Sequence, residues 1–280
     1  MSIVNQLTLL GLAGVVYLLL GFHFWRTRWS EKYTGTVAPA VARVEKTLTG
    51  IALFLHATGL QMALFGAGAG QMQFSFGLAF CLMAWLAALI YWLESFQARM
   101  DGAQPIVLNT AALAAFLPLI FTHSHAVPHS NTLIFRLHFL AAMLSYGLFA
   151  LAAAHALCMR LVEKHLHRPE RSRRMASMPP LLVMESLLFR MLTIAFLLLT
   201  LAVGSGLFYS ETLFGKALTF DHKTIFGIIA WIIFAILLLG RRIYGWRGRH
   251  ALNWMLAGFV ALLLAYVGSR FVLEVLLNRP

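Results

Sequence analysis

The sequence predicts an all-α, polytopic membrane helix bundle of about eight transmembrane helices, and three observations carry that expectation. Of the 280 residues, 60% are hydrophobic and only 11% are charged, less than half the charged share of ordinary soluble domains. Apolar stretches close to the roughly 20 residues that cross about 30 Å of hydrocarbon recur along the chain. Lys and Arg fall almost wholly between those stretches, and on alternate connections.

Taken in order, the expected spans form one transmembrane domain over residues 1–280. Ile3 to Trp25 carries no basic leader and no small-residue cleavage site before Arg26, so it is read as a retained span and not as a secretory signal. Thr47 to Phe65 and Phe76 to Leu93 follow, joined through Gly66-Ala67-Gly68-Ala69-Gly70. Glycine alternation of that kind marks a loop, and without G-x-x-x-x-G-K-[ST] it is no phosphate cradle. Ile106 to Phe121, Leu133 to Cys158, Leu187 to Tyr209, Lys223 to Gly240 and Ala251 to Leu273 complete the set. The longest connection, Arg160 to Pro180, is basic and carries Pro169, Pro179 and Pro180.

Short loops rich in Lys and Arg stay on the cytoplasmic side. The connections Arg26 to Lys46, Glu94 to Pro105, Met159 to Ser186 and Arg241 to His250 hold 16 basic residues, against Lys216, Lys223 and Arg279 on the other side. Both termini are therefore placed outside. The net charge of +12 is a topology signal, with attraction to anionic lipid head groups. The expected partner is the lipid bilayer, and no nucleic acid is expected. Cys81 and Cys158 lie inside apolar segments without C-x-x-C or C-x-x-C-H, which excludes a disulfide framework and covalent attachment of a c-type haem.

Chemistry must then sit in the bundle or its short outer loops. His165, His167 and His250 fall in cytoplasmic loops and His23 and His155 near cytoplasmic helix ends, where amphipathic side chains snorkel. His123, His125 and His129 share an outer loop, read either as an ordinary polar loop or as a haem or metal contact. His56 lies near the middle of the second span, where an imidazole has to face the bundle. His138 stands about five residues, or roughly 7–8 Å, below the outer end of the fifth span. It is either hydrogen-bonded to a neighbouring helix or a ligand. His222 opens the seventh span from the same side, beside Asp221 and Lys223. Two imidazoles on separate helices at that depth suit the clamping of a planar macrocycle, with Asp221 to orient His222 or Lys223.

Arg136, Arg190 and Arg270 lie inside apolar spans, where a charge costs about 2.5–3.5 kcal/mol at a helix centre. They either snorkel or pair, as Arg270 can with Glu274, or Arg136, Arg270 or Lys223 receives an anionic group at the outer face. No H-E-x-x-H or G-x-S-x-G motif is present, and a catalyst is not expected.

The last third of the chain reads Leu187-Leu188-Phe189-Arg190, Gly204-Ser205-Gly206, Asp221-His222-Lys223-Thr224, Gly245-Trp246-Arg247-Gly248 and Tyr266-Val267-Gly268. This order resembles the cytochrome c assembly protein family of haem-handling membrane proteins, which includes CcsA, CcmC and HemX, and looks most like its YpjD branch. The resemblance runs from about His138 to Glu274. It implies a bacterial inner-membrane protein with periplasmic termini, a haem cofactor, and other cytochrome c assembly or membrane-complex components as partners. In the family a loop of pattern W-G-x-x-W-x-W-D-P-K-E holds haem between ligand histidines. The corresponding stretch here is Phe214 to Thr224, in which Gly215, Asp221 and Lys223 match. Phe214, Leu218 and Phe220 replace the tryptophans and His222 replaces the proline.

The resemblance places the family's upstream ligand on His138. Its downstream ligand has no match near Gly268-Ser269-Arg270. The implied haem site comprises His138 and His222 on the iron, with Phe214 and Phe220 against the ring. Asp221, Arg136 and Arg270 stand around it, and an outer-loop histidine is the alternative second ligand. The expected function is haem binding or handling of the cytochrome c assembly type, in an accessory role among others. The competing readings are a haemless structural partner of a membrane complex and a transport component whose pathway is lined by His56, Glu185 and Arg190.

Overall fold

The computed structural model describes residues 3–29, 38–66, 71–97, 102–122, 124–127, 129–166, 179–208 and 222–265. Among them are eight helices: α1 (Ile3–Arg28), α2 (Pro39–Phe65), α3 (Phe76–Glu94), α4 (Gln104–Ile120), α5 (Leu133–Leu166), α6 (Leu181–Phe208), α7 (His222–Tyr244) and α8 (Gly248–Leu263). Six are long and apolar enough to cross a membrane, and α4 is a shorter apolar helix of 17 residues. Each falls on one of the expected spans; the part of the eighth beyond Ala265 lies outside the described residues.

Several helices outrun their apolar cores. α2 begins at Pro39, a residue suited to the first turn because the missing N–H has no intrahelical partner there. α5 runs on to Leu166, so the basic connection after it is shorter than the expected Arg160 to Pro180. Met159 and Val162 are buried in that extension, and Glu163 pairs with Arg249 at 2.9 Å. Charged turns lower hydropathy without ending a helix, and these are held by packing and ion pairs.

α1 packs on α2 and α4, α3 on α4 and α5, α5 on α6 and α8, and α7 chiefly on α8 and α6. Small residues bring the α3 and α5 backbones together. A Cβ built on Gly147 would lie 2.6 Å from Leu86 Cβ and 3.4 Å from the Ala87 nitrogen. Lipid gives no hydrophobic drive between spans, so close van der Waals packing of this kind has to supply it. The stacked rings of Phe149 and Phe234, 3.9 Å between centroids, join α5 to α7. The corner between α7 and α8 is made by Gly245 and Gly248, at φ +66° and +57°, a region open to glycine at no steric cost.

The bundle has two unlike ends. At one gather the carboxylates of Glu45, Glu94, Glu163 and Glu185, which are all the carboxylates among the described residues, and each is paired. Arg190 pairs with Glu94, and Glu185 takes Arg241 and Arg247. At the far end a two-residue strand β1 (Gln73–Phe74) pairs antiparallel with β2 (His125–Ala126). Val127 N donates to Met72 O at 2.8 Å and Met72 N to Ser130 Oγ at 3.0 Å. The outer histidine loop is therefore partly a ribbon, covering a second apolar cluster that includes Leu10, Leu60, Phe74, Leu78 and Phe135.

Candidate functional site

His138 lies in the second turn of α5 at the far end. α6 reaches the same level from the other direction, so its last turn, Gly204-Ser205-Gly206, comes alongside. His138 Nδ1 is 2.8 Å from Ser205 Oγ. That hydroxyl also donates back along α6 to Leu201 O at 2.6 Å, the usual i−4 bond of a helical serine. Gly206 lies at the ring's edge: a Cβ there would make ordinary contact, 3.5 Å from His138 Cε1. Lys223, at the start of α7, lies within electrostatic reach of the imidazole. One helical step away, Phe135 stacks on Phe139 at 6.0 Å, and Phe74 of β1 meets Phe139 edge-on at 5.4 Å. The half-buried imidazole thus stands at a level of the bundle that also holds an aromatic cluster.

The other expected residues fall around this point unevenly. His222 is the first residue of α7 and is exposed beside Lys223. Arg136 is also exposed. Two residues before His138, it projects from a different face of α5, since i and i+2 do not share one. Phe214, Phe220, Asp221 and Arg270, with His123 of the outer loop, lie outside the described residues. The donor set at His138 suits a haem iron, for which one imidazole and apolar surroundings are the basic requirements.

The histidines assigned above to bland roles divide. His23 Nε2 bonds Glu45 Oε1 at 2.9 Å. His155 is not interfacial: it is buried, with Nε2 donating to Met184 O at 3.0 Å between α5 and α6. The extension of α5 to Leu166 puts this residue inside the packed span. His56 faces the bundle as expected, fully buried, its Nε2 3.0 Å from Cys81 Sγ and its ring edge-on to Tyr17.

Of the residues of the transport reading, His56 bonds Cys81, Glu185 pairs with Arg241 and Arg247, and Arg190 pairs with Glu94. Among the described residues no three His, Cys, Asp or Glu side chains gather as a metal site. Sequence reasoning missed Ser205. The available signal was a hydroxyl at the membrane depth of His138, set between two glycines.

The eight helices among the described residues, six of them long and apolar enough to cross a membrane, are those of a polytopic integral membrane protein. The chain belongs to the cytochrome c assembly protein family, which it matches over residues 44–277. It is 31% identical over 234 residues, 81% of this chain and 85% of the relative, to the inner membrane protein YpjD of Escherichia coli (strain K12). A shorter likeness, 34% over 85 residues, joins 30% of this chain to 27% of the cytochrome c biogenesis protein CcsA of Prochlorococcus marinus (strain MIT 9303). It is a multi-pass protein of the inner membrane, of the cytochrome c biogenesis type.

Proposed function

We propose that this protein binds or handles haem at the far end of the bundle, in an accessory role within cytochrome c assembly. The observation that carries the reading is the His138 imidazole, held by Ser205 at 2.8 Å inside the region shared with the family. His138 would hold the haem iron, together with His222 or a histidine of the outer loop. Phe214 and Phe220 would pack against the ring, Asp221 would orient His222 or Lys223, and Arg136, Arg270 or Lys223 would receive a propionate. Bound haem supplies an iron with axial positions for imidazole and a redox-active macrocycle. The chain's own residues orient the imidazole, through the bond between His138 and Ser205. The protein forms one transmembrane domain, and its partners are other assembly or membrane-complex components.

The test is purification in mild detergent with haem supplied, recording the Soret band. Wild type is expected to take up haem. His138→Ala is expected to weaken binding by at least about tenfold, the scale on which loss of even an outer partner acts, and His222→Ala to alter the band. A wild type that takes up no haem would favour the structural-partner reading, and a band unchanged by both substitutions would remove the ligand assignment.

Both termini are proposed to be periplasmic, the basic end of the bundle facing the cytoplasm. Alkaline phosphatase fused after Pro280 should then be active, and fused after Arg247 inactive; the reverse pattern would invert the topology.

A further inference from the structure

The haem reading does not say which nitrogen of His138 meets the iron. We propose that Ser205 is a positioning residue that keeps the His138 proton on Nδ1, so that Nε2 is the ligating atom; the ligand half of this inference rests on the haem reading. A serine hydroxyl has one proton to give. Ser205 gives it along its own helix, at 2.6 Å to Leu201 O with a weaker branch at 3.2 Å to Ala202 O. What Ser205 Oγ turns toward His138 is therefore a lone pair, and the 2.8 Å contact is Nδ1–H donating to it. A ligating imidazole is neutral and carries a single N–H. With that proton on Nδ1, the lone pair is on Nε2.

Both ends of the link are set by helices. Ser205 Oγ is fixed by the backbone of α6, and His138 by that of α5, whose contact with α6 is among the most extensive in the bundle. Gly206 lies beside the ring, its would-be Cβ 3.5 Å from Cε1. The arrangement has the logic of a metal-bound histidine whose second nitrogen is held by an outer partner, which fixes tautomer and ring orientation and raises ligand basicity.

The decisive readout needs no haem. In the full chain labelled with ¹⁵N-histidine in lipid nanodiscs, with His138→Gln used to assign the signal, His138 should show a protonated Nδ1 and an unprotonated Nε2. Ser205→Ala should mix the two tautomers, and Ser205→Thr, which keeps the hydroxyl, should restore the single one. With haem supplied, Ser205→Ala should raise the haem dissociation constant about tenfold, and Ser205→Thr should recover it. A wild-type His138 protonated on Nε2 would overturn the inference, as would a Ser205→Ala protein with tautomer and haem affinity both unchanged. A wild type that shows the Nδ1–H tautomer but takes up no haem would overturn the haem reading alone and uphold the control of His138 by Ser205.

Discussion

Glu45→Ala is expected to cost about 3–5 kcal/mol of stability, the usual penalty for stranding one member of a buried ion pair. Glu45 and Arg28 are 6% and 5% exposed, and Glu45 Oε2 accepts from Arg28 Nη2 at 2.6 Å. The other carboxylate oxygen is bonded to His23 at 2.9 Å, and the Arg28 guanidinium lies over the Phe24 ring at 5.4 Å. Removing the carboxylate takes from a buried guanidinium its partner at 2.6 Å. Replacing both partners, as in Arg28→Met with Glu45→Met, removes the charge and the stranded partner together, and most of the loss should return. Unfolding in detergent titrated with sodium dodecyl sulfate measures both. A loss in Glu45→Ala below about 1 kcal/mol would class this pair with exposed ones, against the burial described.

Gly147→Ala is expected to lose about 1–3 kcal/mol, and Gly147→Leu to fail to accumulate as folded protein. The obstruction at this position cannot step aside. Leu86 Cβ, 2.6 Å from the would-be Cβ, is the root of a side chain, and the next atoms met are the Leu86 carbonyl carbon and the Ala87 nitrogen at 3.4 Å. Relief therefore requires α3 and α5 to separate, which also loosens the contacts around Ala84, Ala87 and Ala150. Gly227 is the matched control, since nothing lies within 4 Å of its would-be Cβ. There alanine should be neutral or raise stability by up to about 1 kcal/mol through helix propensity. Equal effects at Gly147 and Gly227 would remove the close-approach argument.

The spans were legible because hydropathy acts locally: α1, α3 and α7 begin within a residue of their expected starts. What escaped were long-range pairings and the helix ends they hold. Nothing near Glu94 marks Arg190, 96 residues away, as its partner, and Glu185 finds its arginines at the end of α7 and in the turn that follows it instead of with Arg190 nearby. α2 starts eight residues before Thr47, through Arg43, Glu45 and Lys46, because Glu45 is anchored to α1. Two-residue strands carry no alternation to detect, so the pairing of His125 with Phe74 was invisible. At the candidate site His138 stood out as an ionisable residue inside an apolar run. Ser205 did not, because a serine in a membrane helix usually satisfies itself on its own backbone, and only the approach of α6 to α5 gives it a second task.

The ribbon also has a mechanical consequence. Gln73 and Phe74 belong to the connection between α2 and α3, and His125 and Ala126 to that between α4 and α5. Their backbone bonds, with the link from Met72 to Ser130, work as a tie bar across the rim: α5 cannot swing at that end without dragging α3 along. α6 and α7 are tied separately, through Trp231, which is bonded to Thr200 and stacked on Phe196.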